Sequence, residues 1–315
     1  MNDDRPASSA TGVALARALE TVLPKHQRLF EDPFAHLFLG RFGSTVLRLC
    51  RHVGTRRILL GANDRLLPGV RGISVGRTRY IDDALDAALG QGVRQVVILG
   101  AGYDTRALRI RGSESSLFFE VDHPATQRCK CETLERVLGE QPSNLKFVPV
   151  DLERQGLATA LEGAGFQRKE KALVIWEGVT EYLSESAVDA VLAWFARGIA
   201  PESEIVFTYT DRGLIEGTKT FSGGSRILAM NRSGGEPYRF GFDPTRLRVE
   251  LADRGLELIE DVAGEEYRQR YFAPRDRHLR GNEYERTALA RRAGAGAPLD
   301  AGGVFCGPTR GQKPK

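Results

Sequence analysis

Residues 95–110 read QVVILGAGYDTRALRI. An apolar run, Val96-Val97-Ile98-Leu99, breaks at Gly100-Ala101-Gly102, and a helix-compatible run follows from Thr105. That is the order of strand, glycine turn and helix in a nucleotide-binding βαβ unit. The two glycines let backbone approach a ligand that a Cβ would hold off. The turn suits a dinucleotide poorly. The third glycine of the fingerprint is replaced by Thr105, and Asp104 sets a carboxylate where a pyrophosphate would lie. A loop of this kind suits a phosphate-free cofactor with a cationic end, such as S-adenosylmethionine. The competing reading is a tight βα turn with no ligand.

The alternation continues along the chain. Strand candidates are residues 96–99, 117–121, 146–150, 172–176 and 204–209, interleaved with helical segments 105–109, 124–138, 157–164 and 186–199. Short apolar strands separated by helices imply a parallel sheet buried on both faces. Residues 13–92 carry apolar positions at helical spacing and predict an N-terminal helical cap. Residues 93–211 make the cofactor-binding half. Residues 212–242, rich in Gly and Ser, read as a lid insert of weak periodicity. A helix (245–254), a strand (256–262) and a last strand (284–291) close the domain at residue 292. Residues 1–12 and 293–315 have the composition of disorder.

Composition excludes several classes. Lys and Arg number 45 against 41 Asp and Glu, a net charge of +4, too balanced to argue for nucleic acid. The four cysteines include a C-x-C pair, Cys129 and Cys131, on a predicted helix, which is neither a disulfide framework nor a zinc pattern. Isolated thiols fit a reducing cytoplasm. No metal site is expected. The N-terminal stretch MNDDRPASSATG lacks an apolar core, and no apolar run reaches membrane-spanning length, so a cytoplasmic protein without membrane association is expected.

Ligands in open α/β sheets bind outside the carboxyl ends of the strands. The second strand ends in Glu120-Val121-Asp122, and Asp122 lies where an acid accepts hydrogen bonds from ribose hydroxyls. Glu120 points to the same side, so one of the two is the ribose ligand, or both cap the next helix. The third strand leads to Asp151-Leu152, suited to an adenine amine and ring nitrogen, or to a helix N-cap. The fourth runs into Glu177-Gly178. A carboxylate there needs a cationic partner, from a sulfonium or α-amino group or from a structural salt bridge. Three strand-end acids make a site rich in acceptors and poor for phosphates.

These motifs resemble the leucine carboxyl methyltransferase family, S-adenosylmethionine-dependent O-methyltransferases that include bacterial natural-product enzymes. The resemblance rests on DPFA (32–35), RTRYIDDAL (77–85), ILGAGYDTRALR (98–109), FFEVDHPATQRCK (118–130) with VPVDL (148–152), and WEGVTEYLSESAVDAVL (176–192). GEPYRFG (235–241) and YFAPRDRHLR (271–280) look like its later segments. It implies a class I methyltransferase fold, a Rossmann-like α/β sheet of seven strands, mostly parallel with one antiparallel, plus N-terminal helices and a lid. Carried onto this chain, it places Arg79 and Arg17 on the cofactor carboxylate and Gly100 against the methionine part, with Gly102 in the same turn. Asp122 would hold the ribose, Asp151 and Leu152 the adenine, Glu177 the amino group. Tyr182 would face the substrate. The chain departs from the pattern at Glu181, where the family has an apolar residue, and at His123, before Pro124.

A carboxylate acceptor needs no base, whereas a phenol benefits from one. His123 is the one histidine near a strand end, and so the base candidate. The expected activity is methyl transfer to a carboxylate or acidic hydroxyl of a small molecule, a secondary metabolite such as a polyketide, by a monomer or homodimer. S-adenosylhomocysteine would be the product. The alternatives are an NAD(P)-dependent oxidoreductase and a non-catalytic S-adenosylmethionine-binding protein.

Overall fold

The computed structural model describes residues 8–154 and 156–293. Five strands run parallel: β1 (Gln95–Leu99), β2 (Leu117–Asp122), β3 (Leu145–Pro149), β4 (Ala172–Trp176) and β5 (Glu204–Thr210). Every residue of β1 and β4 is buried, as strands paired on both edges and covered on both faces must be. β6 (Leu256–Val262) and β7 (Glu285–Arg292) complete a sheet of order β3-β2-β1-β4-β5-β7-β6. β7 runs antiparallel to β5 and β6. This is the seven-stranded sheet with one reversed strand that the motifs implied.

Side chains alternate across the sheet with period two. Val97 and Leu99 of β1 enter one core with Phe119, Trp176 and Phe195, whereas Val96 and Ile98 enter the other with Ile73, Ile81 and Phe118.

Twelve α-helices surround the sheet among the described residues. The N-terminal cap holds α1 (Ser8–Thr21), α2 (Arg41–Cys50), α3 (Val53–Leu66) and the long α4 (Val70–Gly90). Residues 8–12, expected to lack structure, begin α1, and Ala14 and Ala18 of that helix are buried against Phe38, Leu47 and Leu134. The rest of the predicted disordered ends, 1–7 and 294–315, lies outside the described residues. The crossovers carry α5 (Arg106–Arg109), α6 (Pro124–Leu138), α7 (Leu157–Gly163) and α8 (Glu185–Gly198). The insert holds two helices that its weak periodicity did not announce, α9 (Arg212–Glu216) and α10 (Gly224–Ser233). Leu214 and Ile227 bury them on Tyr284. α11 (Leu247–Ala252) and α12 (Gly264–Tyr267) flank β6. No helix among the described residues is long and apolar enough to cross a membrane.

The strand order reverses between β1 and β4. The connections after those strands therefore part on opposite sides and leave a crevice at their carboxyl ends.

Candidate functional site

The glycine turn lies at that crevice. Gly100 and Gly102 hold φ of +61° and +48°, the left-handed region that a side chain disfavours. A Cβ on Gly100 would lie 2.3 Å from Cγ2 of Val179, so the turn packs directly on the segment that follows β4. The Gly102 N–H donates to Asp122, and the His123 N–H donates to the other carboxylate oxygen at 2.6 Å. Burial pushes the Asp122 carboxyl up, and these two bonds hold it back. Asp122 is thus tied to the turn at the crevice rim.

Glu120 is the other β2 acid, and it is spoken for. It is buried and paired with Lys130 of α6, whose ammonium also donates to the carbonyl of Asp104. Burial raises its carboxyl to about 7 against the pull of Lys130. Of the two acids, only Asp122 is available to a ligand. Beyond β3, half-buried Asp151 accepts from the N–H of Glu153 at 2.9 Å and faces the guanidinium of Arg154 at 3.5 Å. Leu152 packs against the core.

Glu177, at the end of β4, is the hub of a buried ionic network. Nε of Arg77 meets it at 3.0 Å and Nη1 of Arg106 at 2.9 Å. Arg77 also binds Glu285 of β7 at 3.1 Å. Arg106 continues to Asp104 and, at 2.8 Å, to Asp82 of α4; Arg109 reaches Asp82 at 2.7 Å. Burial alone would raise the Glu177 carboxyl, but Arg106 and Arg77 pull it below the usual range. Nη2 of Arg106 is buried without a partner among the described residues.

Asp104 needs a different account from the one its sequence position suggested. It is buried, accepts the Arg106 N–H at 2.7 Å from just before α5, and is neutralised by the Arg106 guanidinium. Against burial, Arg106 and Lys130 hold its carboxyl at about 2. It organises the loop from within and does not need a ligand's charge.

Arg79 requires a correction. Within residues 72–82 of α4 it alone is not buried. It donates to the Leu29 carbonyl at 2.9 Å and pairs with Asp83 one turn on. Arg77, two residues earlier and buried, is the arginine of this helix that reaches Glu177. Arg17 does reach the turn: it is buried, bonds Asp32 at 2.8 Å and donates to the carbonyl of Tyr103. His123 uses Nδ1 to accept the Ala125 N–H at 3.3 Å, capping α6. Tyr182 stands beyond β4 with its ring edge-to-face on Tyr238 of the insert, centroids 5.4 Å apart.

The structure thus brings together Arg17, Gly100, Gly102, Asp122 and Glu177, and adds Arg77, Arg106 and Glu285. Arg77 was detectable: it shares the buried stripe of Ile73 and Ile81, one turn away on each side. Glu285 had no such signal, because antiparallel pairing places it beside Thr210 from 75 residues away.

Comparison with known proteins follows the same lines. The leucine carboxyl methyltransferase family model matches residues 10–196. A Streptomyces coelicolor protein named for S-adenosyl-L-methionine-dependent methyl transfer is 35% identical over 66% of this chain and 71% of its own length. A Mycolicibacterium paratuberculosis protein so named is 35% identical over 66% of this chain and 67% of its own. Crystal structures of a Streptomyces avermitilis protein (12% identity, TM-score 0.55, covering 88% of this chain and 96% of that one) and of a Thermobifida fusca methyltransferase (15%, 0.55, 89% and 94%) share the fold. The chain belongs to the leucine carboxyl methyltransferase family of S-adenosylmethionine-dependent methyltransferases.

Proposed function

We propose that this chain transfers the methyl group of S-adenosylmethionine to an acidic oxygen, carboxylate or hydroxyl, of a small molecule. The resemblance implies a secondary metabolite such as a polyketide as acceptor and the cytoplasm as location. The observation that carries the cofactor part is the bond from Gly102 N–H to Asp122 at the strand-order reversal, with Glu177 across the same crevice. A ribose needs acceptors and an ammonium needs a carboxylate, and both are present without a phosphate cradle.

In this reading Asp122 holds the ribose. Asp151 and the backbone of Leu152 hold the adenine. Glu177 holds the amino group, while Arg77 takes the carboxylate role first assigned to Arg79, with Arg17 beside the turn. S-adenosylmethionine supplies an activated methyl on a cationic sulfur. The protein aligns the acceptor oxygen and keeps water out, which orientation and burial achieve without a metal or a covalent intermediate. The Tyr182–Tyr238 pair and the insert cover the acceptor side. Isothermal calorimetry with S-adenosylmethionine, S-adenosylhomocysteine and NAD+ tests the reading. Micromolar affinity for the two adenosyl ligands and none for NAD+ is expected; no binding of either adenosyl ligand refutes it.

A further inference from the structure

Glu181 stands where the resemblance leads one to expect an apolar residue, and the fold buries it to 4% exposure. Its carboxyl is in electrostatic range of Arg77 of α4 and Glu285 of β7, and it raises the hydroxyls of its neighbour Tyr182 and of Tyr238. Arg77 is already engaged by Glu177 at 3.0 Å and Glu285 at 3.1 Å. Two acids therefore share that guanidinium, Glu177 has a second in Arg106, and Glu181 has no ion pair among the described residues. Beyond its own backbone N–H, the hydrogen-bond partner of its carboxylate among the described residues is the Thr180 hydroxyl at 3.4 Å. That hydroxyl has one proton and donates it to the Thr208 carbonyl at 2.6 Å. Glu181 is the surplus carboxylate of the cluster.

Two further observations mark this place as built for a ligand. The hydroxyls of Tyr284 and Thr210, both on fully buried residues, have no partner among the described residues. Tyr284 precedes Glu285, and Thr210 is its partner across the sheet. Unpaired buried hydroxyls are costly unless a ligand or water completes them. The insert is also pinned here: the N–H groups of Arg239 and Phe240 donate to the Glu181 carbonyl at 2.7 and 3.3 Å.

We propose that Glu181 is the general base of the acceptor site, and that the acceptor is a neutral hydroxyl on an aromatic or other apolar ring rather than a carboxylate. The inference rests on the methyltransferase reading above and narrows it. An anionic acceptor would meet Glu181 and Glu285 as like charges, whereas a phenol presents a proton to Glu181 and a ring to Tyr182 and Tyr238. Burial, opposed by its backbone N–H and Arg77, raises the Glu181 carboxyl to about 7, a basicity matched to neutral pH. In the step, the acceptor O–H bond breaks and its proton passes to Glu181. The O–CH3 bond forms as the CH3–S bond breaks with its electron pair left on sulfur. Glu181 later returns the proton to water.

The test uses Glu181→Gln, Glu181→Asp and Tyr182→Phe with substituted phenols of graded acidity and the matching benzoic acids. Infrared titration of the wild type should show a carboxyl band lost as pH rises through neutrality. That band is absent in E181Q and kept in Y182F; the Glu120 band persists in all. E181Q should lose about 100-fold or more in kcat on the weakly acidic phenols and less on the acidic ones. E181D should recover part of the loss, and S-adenosylhomocysteine affinity should stay within about twofold. The proposal is overturned if E181Q removes no titrating carboxyl, if it methylates weakly acidic phenols as fast as wild type, or if benzoates are preferred. It is also overturned if the wild type binds S-adenosylhomocysteine yet methylates no probe. Failure to bind that ligand at all sinks the methyltransferase reading instead.

Discussion

Arg77 and Arg79 lie two residues apart on one helix, and the structure predicts opposite consequences for their removal. Among the described residues, Arg77→Gln takes from Glu285 its one ion-pair partner and from Glu177 one of two, and the two side chains are only 10% and 9% exposed. Stripping one partner from a buried pair costs about 3–5 kcal/mol, because the remaining charge is left uncompensated. At about 2–4 °C per kcal/mol for a domain of this size, the melting temperature falls by roughly 6–20 °C. In Arg79→Gln the lost pair with Asp83 has side chains 34% and 37% exposed. Such pairs are worth about 0–1 kcal/mol, so the shift stays below roughly 4 °C. The pH dependence separates the two further. Burial already raises the Glu285 carboxyl against the pull of Arg77, so without Arg77 it rises further, and a raised group contributes stability that is lost as pH rises. The R77Q deficit should therefore widen from pH 5 to pH 8, and the R79Q deficit should not. In the wild type Glu177 is depressed, so its contribution is present above its unfolded value of 4.5 and is lost as pH falls below it. Thermal unfolding of both variants at the two pH values, with calorimetry against S-adenosylhomocysteine, reads all of this. Equal shifts for R77Q and R79Q, or tighter dependence of ligand affinity on Arg79, would refute the assignment.

Three other substitutions probe the turn and its neighbours. Gly100→Ala adds a Cβ 2.3 Å from Val179 in a left-handed backbone and should cost about 1–3 kcal/mol; pairing it with Val179→Ala should recover the clash but not the backbone strain, as read by thermal unfolding. Asp122→Asn should weaken S-adenosylhomocysteine binding by about tenfold or more at near-normal stability, whereas Glu120→Gln should cost about 3–5 kcal/mol by orphaning Lys130; calorimetry and denaturant unfolding distinguish the two. His123→Ala should lose about 0.5–2 kcal/mol as a missing cap and retain methyl transfer, which a combined stability and turnover measurement on phenols would show.

Most of the sheet was readable because parallel buried strands are apolar on both faces and short. The run Val96–Leu99 lies inside β1, and 124–138 matches α6 residue for residue. The insert was harder. α9 spans five residues and α10 presents Leu214's neighbour Ile227 as its one buried large apolar residue, too few for periodicity to register. The site divides the same way. Gly102 and Asp122 are linked by twenty residues of one βαβ unit, a spacing that recurs because strand and helix lengths fix it. Arg77 and Glu177 are a hundred residues apart, and Arg77 and Glu285 two hundred and eight. No local rule couples positions so distant.

The carboxylates show why charge counting at strand ends was not enough. Asp104 and Glu177 each suggest a missing cation in sequence, the one in the glycine turn and the other at a strand end, whereas Asp122 suggests ribose hydroxyls. The fold gives Asp104 and Glu177 the same guanidinium, that of Arg106, and gives Asp122 two backbone N–H groups and, among the described residues, no ion pair to an arginine or lysine. An acid tied by amides keeps lone pairs for neutral donors such as hydroxyls. An acid bridged by two arginines, one on each oxygen, keeps a lone pair on each for an ammonium. An ammonium added at Glu177 would share the carboxylate with Arg77 and Arg106, and through Arg77 it would be felt at Glu285 and at the surplus carboxylate of Glu181. The cofactor side and the acceptor side of the crevice are joined by one shared guanidinium, so a change at Arg77 should be felt on both.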